Sequence, residues 1–209
     1  MEQFVKLVKS NRKKIVGAAV AGALLLLTAC TPINSAATIG NTSIPVSKIQ
    51  KTVDSILAER SKMTTTGMNL ETGEALNRSQ VTFFVISELL YRIGQKYNVK
   101  VSEQEITDQI KAVTSQVGGE ANLPAAMVNA GIAPENLREY FRSYLLSQEI
   151  SNRLLAGGVD KTQVTGAVQK LVGLEASRAK VSINPRYGTW DLNQATIVGA
   201  PLASGSVTK

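Results

Sequence analysis

The chain has 209 residues, with 23 Lys and Arg, 16 Asp and Glu, a single Cys and no His. Without histidine, Ser-His-Asp and Cys-His nucleophile systems, the histidine pair of metalloproteases and most zinc sites are excluded. Of the net charge of +7, +4 lies at one end: five basic residues and one acidic residue precede Cys30, leaving 18 against 15, so the high pI is poor evidence for nucleic-acid binding.

Lys6, Lys9, Arg12, Lys13 and Lys14 lead into an apolar run from Ile15 to Leu27, the charged and hydrophobic regions of a secretory signal. The run is about thirteen residues, short of the roughly 20 needed to span hydrocarbon as a helix, so a transmembrane anchor is the weaker reading. It ends in Leu27-Thr28-Ala29-Cys30, which resembles the lipobox of bacterial lipoproteins, where a diacylglyceryl group joins the thiol before cleavage ahead of it. A lone cysteine is usually a small buried hydrophobe, but its position after the apolar run decides against that. Residues 1–29 therefore read as a lipoprotein signal peptide, Cys30 as the lipidation site and 30–36 as a lipidated linker. This places the protein at the cell membrane, on the extracytoplasmic face. Lipidation consumes the only thiol, which excludes disulfides and cysteine nucleophiles. About 180 residues remain, enough for one domain with a real core.

Thr31 to Ala36 is small and polar, and six residues reach at most ~20 Å. Ala37-Thr38-Ile39 and Thr42-Ser43-Ile44 flank Gly40-Asn41 as a hairpin, and Pro45 stops the second strand. Ser47 and Gln50 suggest a capping box, and Ile49, Val53, Ile56 and Leu57 repeat at helical spacing to about Arg60. Lys62 to Asn77 lacks a period and reads as a mobile loop. From Arg78 to Tyr97, Val81, Phe84, Val85, Leu89 and Ile93 mark a buried central helix. Asn98 suits a left-handed stop, and Ser102 with Glu105 forms a second capping box.

Ile106, Ile110, Val113 and Val117 continue a helix to Gly118-Gly119. A short helix from Asn122 to Ala130 stops at Gly131. Pro134 opens a long amphipathic helix carrying Leu137, Tyr140, Phe141, Tyr144, Leu145 and Leu154, closed by Gly157-Gly158. A weaker helix holds Val164, Val168, Leu171 and Val172 and runs to about Ser177. Lys180 to Ile183 alternates as a strand before a turn at Asn184 to Gly188, and that strand is expected to pair with the segment around Ile39 or Ile44. Residues 192–209 are expected to form a disordered tail.

No local pattern points to catalysis. Glu103, Glu105 and Asp108 lie near a helix start, where acidic groups favour the dipole. Gly118-Gly119 and Gly157-Gly158 lack the strand-to-helix context of phosphate loops. The notable set is apolar: Met63, Met68, Phe83, Phe84, Met127, Tyr140, Phe141 and Tyr144. Helical stripes normally face inward, so most of these should be core. Met63 and Met68 lie in the loop instead, and flexible Met-bearing surfaces suit promiscuous apolar binding. The set is taken as the candidate client-binding group, with no catalytic residue, metal or cofactor.

The order of elements resembles a known family. "Ile-x-Val-Ser-x-Ile" from Ile44 to Ile49 opens a helix, and "Val-x-Val-Ser-x-x-Glu-Ile" from Val99 to Ile106 follows a long apolar one. These resemble the N-terminal chaperone domain of the SurA and PrsA foldases. The run Val181-Ser182-Ile183-Asn184-Pro185-Arg186-Tyr187-Gly188-Thr189-Trp190-Asp191 resembles the end of SurA-N-type lipoproteins without an isomerase domain. The resemblance implies a mainly α, SurA-N-like helical chaperone domain over 37–191, with a small β element pairing N- and C-terminal strands. It implies a groove for unfolded or partly folded exported proteins; full-length foldases of this kind also carry parvulin domains whose isomerase sites usually contain histidines, and with no histidine and no room for such a domain after the helices, no enzymatic activity is expected. The alternatives are a prolyl isomerase-related foldase acting with a partner, and a structural envelope lipoprotein.

Overall fold

The computed structural model describes residues Asn34–Gly199. The expected signal peptide, Cys30 and the expected tail beyond Gly199 lie outside the described residues. The described chain is mainly helical with a small antiparallel sheet.

Strands β1 (Ser35–Ile39) and β2 (Thr42–Pro45) form the expected hairpin, with Thr38 opposite Ser43 and Ile39 opposite Thr42. Gly40 at the turn has a φ of 58°, which glycine adopts without a Cβ penalty. The strand begins earlier than the sequence suggests. Ser35 and Ala36, assigned to the linker, are buried β1 residues. Their carbonyls accept hydrogen bonds from the side chain and the backbone N–H of Asn184, about 150 residues away, so nothing local marks them as strand.

Helix α1 (Val46–Ser61) follows at once and buries Ile49, Thr52, Val53 and Ile56. The expected Ser47/Gln50 capping box is absent. Pro45 occupies the N-cap position, and the N–H of Val46 donates to the carbonyl of Asn34 at 2.8 Å, so the strand's own start satisfies the helix terminus.

Helix α2 (Gly73–Tyr97) is the central element and packs on α1, β1 and both later long helices. It starts five residues before Arg78, because Leu76 is drawn fully into the core and pulls the polar first turn into helix. The loop between α1 and α2 shrinks accordingly to residues 62–72. Val81, Val85, Leu89, Leu90 and Ile93 form the spine of the core, each contributing roughly 1.5–3 kcal/mol of burial. Asn98 stops the helix in the left-handed conformation, φ 54°.

Helix α3 (Glu103–Gln116) carries the Ser102/Glu105 capping box in full. Helix α4 (Leu123–Asn129) packs on α1, and a 3-10 turn at Pro134–Asn136 leads into α5 (Leu137–Ala156), which crosses α2. Helix α6 (Val164–Arg178) closes the bundle.

Strand β3 (Ser182–Ile183) then adds to β1, antiparallel, with Ala37 opposite Ile183 and Thr38 opposite Ser182. The sheet order is β2-β1-β3, so β3 pairs with the segment around Ile39 as expected. The assigned tail is in part ordered structure. Strands β4 (Thr189–Asp191) and β5 (Thr196–Val198) pair with Trp190 opposite Ile197, and Ile197 is buried. The Asp191 carboxylate accepts the N–H groups of Asn193 and Gln194 at 2.8 and 2.9 Å, which builds the turn that composition alone reads as disorder. Among the described residues, no helix is long and apolar enough to cross a membrane.

Candidate functional site

Five of the eight candidate residues come together where α2 crosses α5. Phe83 and Phe84 are neighbours on α2, with ring centroids 4.9 Å apart. Phe83 stacks on Tyr140 of α5 at 6.4 Å, Tyr140 meets Phe141 edge-on at 5.4 Å, and Phe141 meets Tyr144 edge-on at 6.5 Å. These separations and tilts lie in the favourable range for aromatic pairs, worth about 0.5–1.5 kcal/mol each beyond area burial. The result is a ladder of five rings that runs from buried Phe84 out to exposed Tyr140, back to buried Phe141 and out again to exposed Tyr144. Phe84 and Phe141 are buried at 5% and 6% exposure, Phe83 is half-buried, and Tyr140 and Tyr144 are exposed at 36% and 41%. Lys48 of α1 places its ammonium 4.0 Å from the Phe84 ring centroid and caps the inner end.

The other three candidates are distributed differently. Met127 on α4 is 8% exposed, so it is packing rather than contact surface. Met63 and Met68 lie in the loop 62–72 and are half-buried. Backbone bonds from Met63 to Arg60 and from Met68 to Thr65 shape that loop, and the Arg60 guanidinium donates to the carbonyl of Glu71 at 2.7 Å across its base.

Beside the ladder lies a cleft of about 140 Å³, lined by Phe83, Tyr140, Gln80, Ile132, Ala133 and Asn136 among others. Its size decides what it suits. Small-molecule sites run to roughly 300–1,000 Å³, so this cleft fits one apolar side chain of a peptide rather than a metabolite.

Two buried amides fix its walls. Gln80 donates to the carbonyl of Gly131 at 3.1 Å, tying the segment after α4 to α2, and Asn136 donates to the Thr52 hydroxyl at 3.2 Å, tying the start of α5 to α1. Deeper in, Ser143 donates to Ser87 at 2.8 Å and pins α5 to α2. A buried polar group keeps such a partner because losing it costs about 1–3 kcal/mol.

Sequence reasoning missed Gln80, Ile132 and Asn136. Gln80 carries a signal in hindsight, a polar residue next to Val81 inside the most apolar helix. Ile132 and Asn136 carry none, since only the fold turns their connection toward α2.

Helix α3 is latched to α5 by charge. Glu103 receives Arg138 and Arg142 at 2.7 Å each, and Arg142 also reaches Glu139 at 2.9 Å. Hydrogen bonds from Arg138 and then Arg142 hold the Glu103 carboxyl below the ordinary value of 4.5. The Ser102 side chain and backbone lower Glu105, and Thr162 lowers Asp160 in the same way. A carboxyl depressed in the folded state contributes stability that is present above its unfolded value and lost as pH falls through the folded one. No histidine titrates near neutrality. The thermal midpoint should therefore be flat between about pH 5.5 and 7.5 and fall below about pH 4. Glu103→Gln should make the acid limb shallower, and melting curves across that range check it.

Comparison with known proteins gives no match: no family model fits the chain, and neither a curated protein nor a solved structure is significantly similar to it. Among the described residues, no group of three or more His, Cys, Asp or Glu is placed to hold a metal.

Proposed function

We propose that this protein is a lipid-anchored, extracytoplasmic chaperone of SurA-N-like type, which holds apolar segments of unfolded or partly folded exported proteins without covalent chemistry. The observation that supports this best is the ring ladder, whose exposed Tyr140 lines a cleft sized for one side chain, with exposed Tyr144 one turn further along α5. Tyrosines of this kind offer large, rigid contact area at low conformational-entropy cost. Burial of client surface at ~25 cal/mol per Å² is offset by ordering of the client, which keeps binding weak and reversible. The Cys30 anchor would hold the site where exported chains emerge.

Two assays on the mature protein test this reading. Aggregation of a heat-denatured client, followed by light scattering, should be suppressed, while a proline-limited refolding rate should stay unchanged. Uncatalysed isomerisation takes tens to hundreds of seconds, so catalysis would be easily seen. Tyr140→Ala with Tyr144→Ala should raise the concentration needed for half-suppression by about tenfold, equivalent to about 1.4 kcal/mol. A refolding rate that rises with protein concentration would instead identify a foldase enzyme. Silence in both assays would favour a structural envelope lipoprotein.

A further inference from the structure

The described chain begins on one face of the fold, and that face is basic. Asn34 is held there by the N–H of Val46, and Lys48 follows two residues later, with Lys51 a further turn along α1. Asn184 binds the carbonyls of Ser35 and Ala36, and Arg186 follows two residues later in the 3-10 turn Pro185–Tyr187. Arg78 of α2 donates to the Tyr187 carbonyl at 3.2 Å, which brings it to the same turn. Lys48, Lys51 and Arg186 are exposed, and Arg78 is half-buried.

Arg92, Arg138, Arg142, Arg153 and Arg178 each sit on a carboxylate. Among the described residues, none of Lys48, Lys51, Arg78 and Arg186 forms an ion pair. Asp54 and Glu74 lie one turn from Lys51 and Arg78 and stay unpaired, so the face keeps a positive excess. At the other end of β1 the hairpin tip Gly40-Asn41 is neutral, Arg92 is matched by Glu88, and Lys180 is the exposed cation nearby.

Chain length decides what this face meets. Five residue steps separate Cys30 from Ser35, a reach of about 18 Å when fully extended. A lipid on Cys30 therefore keeps the start of β1, and the basic face beside it, within about 18 Å of the headgroups. We propose that the face formed by Lys48, Lys51, Arg78 and Arg186 docks on anionic phospholipid and fixes the domain's orientation on the membrane. This rests on the lipid-anchor reading. Each basic residue near such a surface is worth about fivefold in occupancy of the docked orientation, and the attraction fades beyond a Debye length of about 8–10 Å. Because Lys48 also caps Phe84, docking leaves the ring ladder starting at the membrane-proximal side.

The test uses the full-length chain, processed and reconstituted into vesicles of phosphatidylcholine with or without phosphatidylglycerol. A fluorophore is attached at Ser47→Cys, on the basic face, or at Asn41→Cys, on the hairpin tip, and quenched by headgroup-labelled lipid. Radioactive fatty-acid incorporation, absent in Cys30→Ser, reports the anchor separately. On anionic vesicles the Ser47→Cys label should be quenched and the Asn41→Cys label spared. Lys51→Glu with Arg186→Glu should reduce that preference by about fivefold or more, as should high salt. Arg186→Gln alone should act in the same direction, which guards against a folding defect in the double variant. Lys48 is left intact for its ring contact. Equal quenching of the two labels in lipidated protein, or no response to charge reversal, would overturn the docking face and leave the anchor standing. Absence of label incorporation in the parent protein would overturn the anchor, and the docking face with it.

Discussion

Truncation after Ser177 is expected to abolish the cooperative thermal transition. The deleted segment carries β3, which is one edge of the three-stranded sheet, and the buried Ile183, Tyr187 and Ile197. At roughly 1.5–3 kcal/mol for each of the three side chains, burial alone amounts to about 4.5–9 kcal/mol, comparable with a typical stability of about 5–15 kcal/mol. The loss spreads further. The Gly40 N–H gives up its 2.6 Å bond to Ala179, the carbonyls of Ser35 and Ala36 lose Asn184, and Arg78 loses Tyr187. A two-stranded hairpin is marginal alone, so β1 and β2 should fray from α2 as well. Urea and thermal melts of the truncated and full-length chains check this. A transition within about 1 kcal/mol of the parent would show that the terminal strand does not support the fold.

Gly188→Ala should destabilise the fold by about 3 kcal/mol, although it adds one methyl group. Gly188 has φ 116° and ψ −149°, a region that L side chains scarcely enter. A Cβ there would stand 2.0 Å from the Val198 carbonyl oxygen and 3.2 Å from the Ile197 side chain. The backbone cannot give way without opening the β4–β5 pairing, which would release Ile197 and Trp190 from the core. Gly166→Ala supplies the contrast. That glycine lies inside α6 with nothing within 4 Å of the added carbon, so the same substitution should stabilise by about 0.5–1 kcal/mol. Opposite signs in paired chemical denaturation curves would confirm that geometry, not composition, sets the cost. Equal effects would contradict the backbone assignment at Gly188.

Much of the fold was legible where the deciding contacts are local. The Ser102/Glu105 box, the Asn98 stop and the apolar spacing of α2 and α5 all act within one or two turns, and each stands where the residues place it. The Ser47/Gln50 pair shows the limit. It has the right letters at the right spacing, yet Asn34 takes the role of cap because the hairpin folds it against Val46. The stretch after Asp191 fails in the opposite sense. It has no periodicity to read, but one carboxylate builds its turn and one isoleucine anchors its strand.

The candidate site divides in the same way. Helical spacing already puts Tyr140 and Tyr144 on one side of α5, with Phe141 adjacent. Whether those rings face water or core depends on how α5 crosses α2, where Ser143 bonds Ser87, and on the Gln80 and Asn136 bonds that hold the neighbouring segments. By itself, then, the sequence determined most of the helical elements and their local stops, because period and capping are short-range physics. Only the tertiary structure decided which aromatics stay exposed, that the segment after Asp191 is a hairpin, and that Lys48, Lys51, Arg78 and Arg186 lie toward one end of β1, because each depends on contacts between residues far apart in the chain.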